Sequence, residues 1–252
     1  SPDDRRRLLR AAAADGVDLV FCVGPGFGDL VYGEGAALGD TRYVVIPGRS
    51  RGDTVASIRF RHEDAGYLAG AVAAELSGRA PVGILRGAGR PWLEDLERGF
   101  VAGALGDDAL RSVEVANGPD GPARLVDRGV LVALHAADLP EAEVLAAVRT
   151  AGLLLVTPDP QLMAADPGIF VAAVVVDVAE TMVRVARSVH DGTFTGRDLD
   201  FDLGSGVLDV HLNPGHAKVS ERTRERLREA RAAVLAGFVE VEQQFADYVQ
   251  RM

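Results

Sequence analysis

Apolar residues recur at steps of three and four through 62–77, where Ala65, Leu68, Val72 and Leu76 share one face of a predicted helix. Gly66, Gly70 and Ala74 form a second stripe, small enough for close approach to a sheet. Residues 82–85 (VGIL) then run apolar without alternation, the pattern of a strand buried on both faces of a parallel sheet. Pro91 suits the first turn of a following helix, and Leu93, Leu96, Phe100 and Ala104 supply its buried side. This helix–strand–helix unit organises the rest of the chain.

The same reading predicts a helix over 3–15, with Pro2 in its first turn and Gly16 ending it, and another near 29–38. Further helices fall at 140–151 and 177–191, the last with Asp177 placed as its cap. Strands fall at 19–23, 43–46, 55–60, 111–116, 130–134, 153–156 and 170–176, with a Gly- and Pro-rich loop at 117–123. Strands alternating with helices imply βαβ crossovers, hence an α/β fold with mostly parallel sheets. Segment 198–212 differs. Leu199, Phe201 and Leu203 alternate with Asp198, Asp200 and Asp202, and 204–206 (GSG) joins them to 207–212, which predicts a half-exposed hairpin. Residues 220–250 read as one or two amphipathic helices whose arginines and glutamates interleave as a solvated, salt-bridged face.

Size and charge narrow the function. A chain of 252 residues can hold one large domain or two medium lobes. A net charge of −10 argues against nucleic acid or anionic lipid as main partners. Cys22 is the single cysteine, so no internal disulfide forms. It follows Leu19, Val20 and Phe21, which superficially resembles a lipoprotein cleavage box. Phe21 is too large for that role, and a buried strand cysteine is the reading adopted. No apolar run is long enough to span a membrane.

Motifs in register then point to a family. EDAGYLAGAVAA (63–74), PVGILRG (81–87) and RPWLEDLERGFVAGA (90–104) resemble the basic membrane protein family, substrate-binding lipoproteins of ABC importers whose characterised members take up purine nucleosides. The resemblance runs from about residue 5 to 240. It implies a type I periplasmic-binding-protein-like α/β fold of two lobes with a hinge between them. Each lobe would carry a mostly parallel sheet flanked by helices, with ligand between the lobes at the carboxyl ends of the strands. On that basis 1–60 with 175–198 forms lobe 1, 61–174 forms lobe 2, and 199–252 supplies a hinge hairpin and C-terminal helices of unassigned lobe. Crossings fall near 60–62, 173–177 and 192–200. Family members begin with an additional strand, helix and strand carrying an Asp/Asn ligand motif, so this chain is expected to be a fragment lacking them.

Candidate site residues follow, each with a plainer alternative. The segment GPGFGD (24–29) is a poor dinucleotide fingerprint, because Asp29 stands where the last glycine belongs. It is either a simple strand-to-helix turn or, as the resemblance implies, a cleft loop with Phe27 and Asp29 at its rim. Trp92 is either a packing residue or a platform for a base. His135 ends strand 130–134, as a loop histidine or a ligand contact. Asp138 is a helix cap or a ligand contact, in a segment where the family's glycine is absent. Asp159, in TPDPQ (157–161), is the nearest match to a family aspartate that holds ribose hydroxyls, or else a turn residue between two prolines. Where the family carries Ser and Lys in the next strand, this chain has Ala173 and Val176.

Enzyme and metal motifs fail on context. GRSRG (48–52) matches a nucleophile elbow but leads into a strand, not a helix. His62, His135, His190, His211 and His216 show no metal spacing. No cofactor, metal or catalytic residue is expected. Two functions remain. One is an extracytoplasmic, membrane-anchored solute-binding protein that hands a nucleoside-like ligand to a permease. The other is a cytoplasmic ligand sensor or regulatory domain with a diverged or inactive cleft.

Overall fold

In the computed structural model, which describes residues 1–87, 90–106, 108, 110–137, 142–239 and 241–251, the chain forms two units. The first comprises Ser1–Phe60 and Asp177–Phe201, the second Arg61–Val176 and Asp202–Met252. The chain therefore passes from one unit to the other after Phe60, Val176 and Phe201.

The first unit is built on four parallel strands in the order β1 (Leu19–Val23), β2 (Arg42–Ile46), β3 (Val55–Phe60) and β9 (Asp198–Phe201). Strand alternation sorts their side chains. Cys22, Tyr43, Val45 and Val55 pack with Leu9 of α1 (Pro2–Ala14) and Val31 of α2 (Phe27–Glu34). Leu19, Phe21, Val44, Ala56 and Ile58 pack on the opposite face with Val185 of α8 (Val178–His190). Ser1 and Asp4 form a reciprocal capping box at α1. Asp177 caps α8, accepting from the Glu180 amide at 2.8 Å.

The second unit holds a six-stranded sheet. Its order is β10 (Leu208–Leu212), β8 (Phe170–Val176), β7 (Leu154–Thr157), β6 (Val132–Ala136), β4 (Val82–Arg86) and β5 (Val113–Asn117). All run parallel except β10, which pairs antiparallel with β8. One face carries α3 (His62–Ser77), α4 (Pro91–Leu105), α9 (Glu221–Leu235) and α10 (Val241–Arg251). The other carries α5 (Gly121–Asp127), α6 (Ala142–Ala151) and α7 (Pro160–Ala165).

Three sequence expectations need correction. The stripe of Gly66 and Gly70 meets not the sheet but helix α4: a Cβ at Gly70 would stand 2.0 Å from the Phe100 carbonyl oxygen. Gly99 and Gly103 answer from α4, where an added Cβ would stand 2.0 Å from the carbonyl oxygens of Glu63 and Tyr67 on α3. The expected hairpin at 198–212 does not form, because its strands join different sheets. Leu199 and Phe201 pack in the first unit, Asp198 accepts from Ser57 Oγ at 2.6 Å, and Asp200 pairs with Arg59 at 3.0 Å. Leu203 packs in the core of the second unit. Between them Asp202 caps a single 3-10 turn, Leu203–Ser205, accepting from the Ser205 amide at 2.9 Å. The helix expected near 29–38 stops at Glu34, and Gly35–Leu38 form a 3-10 turn.

Candidate functional site

In the second unit the parallel strands bring Arg86, Asn117, Ala136, Thr157 and Val176 to one edge of the sheet, their carboxyl ends. His135 lies one residue inside that edge, in register with Leu85 of β4. Alternation turns it to the face of Ala133, and it is only 2% exposed. Burial pushes its imidazole down to about 4, although the Asp159 carboxylate opposes that shift. The ring is therefore neutral at physiological pH, and among the described residues its buried Nδ1 has no hydrogen-bond partner. Of the two readings of His135, the loop histidine fails, because the residue lies within β6 and in the protein interior.

Asp159 follows β7 and is half-buried. Its amide donates to Oγ1 of the fully buried Thr157 at 3.0 Å. Its Oδ1 accepts from the Gln161 amide at 2.8 Å, capping α7, with Pro160 in the first turn. That leaves Oδ2 without a hydrogen bond among the described residues, so the carboxylate is fixed in place yet keeps acceptor capacity. His135, Thr157 and Asp159 thus form one polar group at the strand ends. Asp138 lies outside the described residues. Where the neighbouring strand could add chemistry it is apolar: Ala173 is fully buried and Val176 pairs with Leu208.

Trp92 opens α4 beyond β4. It is half-buried against the core and tilts at 40° to the His62 ring, with centroids 5.2 Å apart. Packing is thus its observed role, with part of the side chain left exposed. Sequence reasoning overlooked Arg86, whose Nε donates to both carboxylate oxygens of Glu97 at 3.1 Å. No local motif marks that pair, because the two residues lie on different elements.

Phe27 and Asp29 belong to the first unit, after β1. Gly24 and Gly26 take φ values of 114° and 83°, a left-handed turn that a side chain would strain. The Arg5 guanidinium sits 4.9 Å above the Phe27 ring and donates to the Pro25 carbonyl at 2.7 Å. Asp29 is exposed in the first turn of α2 and lines an open hollow of about 410 Å³ with Tyr32, Pro47 and Arg49. The Tyr32 hydroxyl pins the opposite wall, accepting from the Arg49 amide at 2.5 Å and donating to the Arg49 carbonyl. In the GRSRG segment the Ser50 amide donates to Asp198 at 2.6 Å and β3 follows, so the serine is held as a loop residue.

One further cluster was not foreseen. Asp64, 4% exposed on α3, is pushed up to about 6 by burial, helped by the charges of Glu63 and Asp202 and opposed by Arg61. Arg61 reaches Asp64 at 3.4 Å and Glu63 at 3.4 Å. With Val234 and Leu235, Arg61, Asp64 and Asp202 line a hollow of about 520 Å³. Asp64 and Asp202 are far apart in sequence, so no spacing rule could have joined them. Among the described residues no three His, Cys, Asp or Glu side chains converge as metal ligands, and no helix is long and apolar enough to cross a membrane.

Solved structures with the same architecture include an ABC transporter system solute-binding protein from Aeropyrum pernix K1, 19% identical with a TM-score of 0.73, covering 95% of this chain and 81% of that one. Another, from Conexibacter woesei DSM 14684, is 18% identical with a TM-score of 0.76, covering 95% and 84%. A transcriptional activator of the comK gene from Bacillus halodurans is also similar, at 22% identity and a TM-score of 0.77, covering 92% and 83%. At these identities the likenesses carry the fold alone, so the last lends no weight to a regulatory role. No curated protein matches the sequence. The family model for Bmp, the PnrA-like ABC transporter substrate-binding proteins, matches residues 1–244. The chain belongs to this family, whose members bind substrate for an ABC transporter and are not enzymes.

Proposed function

We propose that the chain captures a nucleoside or a similar small polar solute and delivers it to an ABC permease. The loops at the carboxyl ends of the parallel strands make the contacts, and no bond is made or broken. Asp159 carries the reading. A carboxylate whose Oδ1 is committed to a helix cap and whose Oδ2 is not engaged can accept from vicinal hydroxyls without reorganising. Such a charged hydrogen bond contributes about 1.5–3 kcal/mol. Neutral His135 suits an uncharged ligand better than an anion. Trp92 is a candidate aromatic contact on the second unit, and Phe27 and Asp29 are candidate contacts on the first. The apolar Ala173 and Val176 favour a ligand that asks for no donor there. The three crossings after Phe60, Val176 and Phe201 serve as the hinge, and a lipid anchor holds the protein extracytoplasmically.

Thermal unfolding with a panel of nucleosides tests this. A bound nucleoside at 100 times its Kd stabilises by about 2.7 kcal/mol. Asp159→Asn, which preserves the helix cap, weakens the same nucleoside about tenfold or more. A complete panel without any shift defeats the nucleoside assignment, and an undiminished response in Asp159→Asn removes Asp159 from the site.

A further inference from the structure

The acidic chain brings four arginines together at the opposite edge of the second unit's sheet. Arg79 stands exposed just beyond α3, Arg111 precedes β5, and Arg222 and Arg226 lie about one turn apart on α9. All four line a hollow of about 360 Å³, where Glu75 is the one carboxylate among the described lining residues. Glu75 pairs with Arg222 at 2.7 Å, and Glu229 reaches Arg226 at 3.7 Å from outside the hollow. Arg111 spends two N–H groups on the neutral carbonyls of Ala80 and Gly78, each at 2.7 Å, and its buried Nε lacks an acceptor. Arg79 makes no ion pair or hydrogen bond among the described residues. After both glutamates are counted, no described residue compensates the charges of Arg79 and Arg111 within this one concave surface. Like charges held together in a concavity raise the potential for a counter-ion.

We propose that this hollow binds a compact oxyanion of the phosphate or pyrophosphate class. Planar guanidinium forks match phosphate oxygens in geometry as well as in charge. The concave shape suits a soluble anion better than a headgroup fixed in a membrane. An anion seated there bridges α9, the end of α3 and the start of β5. The proposal is independent of the nucleoside reading, since the two sites lie at opposite ends of the same strands.

The test is thermal unfolding and calorimetry with sodium pyrophosphate, inorganic phosphate, and sodium chloride at matched ionic strength, with phosphatidylglycerol vesicles as a separate arm. Pyrophosphate raises the midpoint above the chloride control, and added salt weakens its binding. Arg79→Gln, at an exposed position without a partner, lowers pyrophosphate affinity about fivefold, and Arg79→Glu abolishes binding. Arg79→Gln keeps any nucleoside response, and Asp159→Asn keeps the pyrophosphate response. The proposal is overturned if pyrophosphate matches chloride, if both Arg79 variants bind like the parent, or if only vesicles are captured.

Discussion

Replacing Gly70 by Ala adds a single methyl group, and the structure fixes what it costs. The new Cβ would lie 2.0 Å from the Phe100 carbonyl oxygen and 2.7 Å from the Ala104 nitrogen, both backbone atoms that no rotamer change can move. Side-chain carbons essentially never approach within 3.0 Å, so α3 and α4 must part by about 1 Å. Parting them loosens an interface in which Leu68, Val72, Leu96 and Phe100 are all fully buried. Overpacking of this kind costs about 1–3 kcal/mol, while the helix preference for Ala over Gly returns about 1 kcal/mol. Two backbone clashes this short place the cost at the upper end of that range, so the net expectation is a loss of about 2 kcal/mol. Gly33 in α2 supplies the control, being exposed with nothing within 4 Å of an added Cβ. Gly33→Ala should therefore stabilise by about 0.5–1 kcal/mol. Urea unfolding followed by far-UV circular dichroism reads both, each at an unchanged m-value. The reasoning fails if Gly70→Ala is neutral or stabilising, or if both alanines shift the midpoint in the same direction.

Further predictions concern pH and ion pairing. Asp64, raised from 3.8 to about 6, binds more protons folded than unfolded in that window. Its burial therefore destabilises increasingly as pH rises from about 4 to 6, by the order of 3 kcal/mol at neutral pH. Asp64→Asn should remove that slope and raise stability at pH 7, as urea midpoints measured from pH 4 to 8 will show. His135, lowered from 6.5 to about 4, works in the opposite sense. Its contribution is complete above pH 6.5 and is lost as pH falls towards 4, again by the order of 3 kcal/mol. The two slopes partly cancel, so Asp64→Asn should expose an acid lability that the Asp64→Asn/His135→Gln double variant lacks. Glu97→Gln breaks the fork to Arg86 beside a nearly buried carboxylate and should cost about 1–3 kcal/mol in the same urea assay, whereas Glu97→Asp should cost less.

Much of the fold could be read from local pattern because local pattern produced it. The apolar run at 82–85 became β4, and Pro91 opens α4 in its first turn. The hairpin reading of 198–212 failed because alternation reports that a strand is half-exposed, not which strand it pairs with. Only the structure shows β9 beside β3 and β10 beside β8. The short helices α5 and α7 were passed over because they run 7 and 6 residues, too short for periodicity to register. Their start signals were present all the same, Asp120 and Asp159 each standing close before a proline. Gly66 and Gly70 announced close packing but not its partner, which α4 reveals by carrying Gly99 and Gly103 at the same spacing. At the candidate site, strand-end position singled out His135 and Asp159. The burial of His135 depended on the helices covering its face, which no single segment encodes. Clusters joined across elements, Arg86 with Glu97 and Asp64 with Asp202, left no sequence signature.

Equilibrium dialysis of the purified protein against radiolabelled purine and pyrimidine nucleosides tests the central claim most directly, with Asp159→Ala alongside. The account predicts saturable binding of at least one nucleoside at one molecule per chain, reduced at least tenfold in the variant. Absence of saturable uptake for every nucleoside by a folded protein would contradict it.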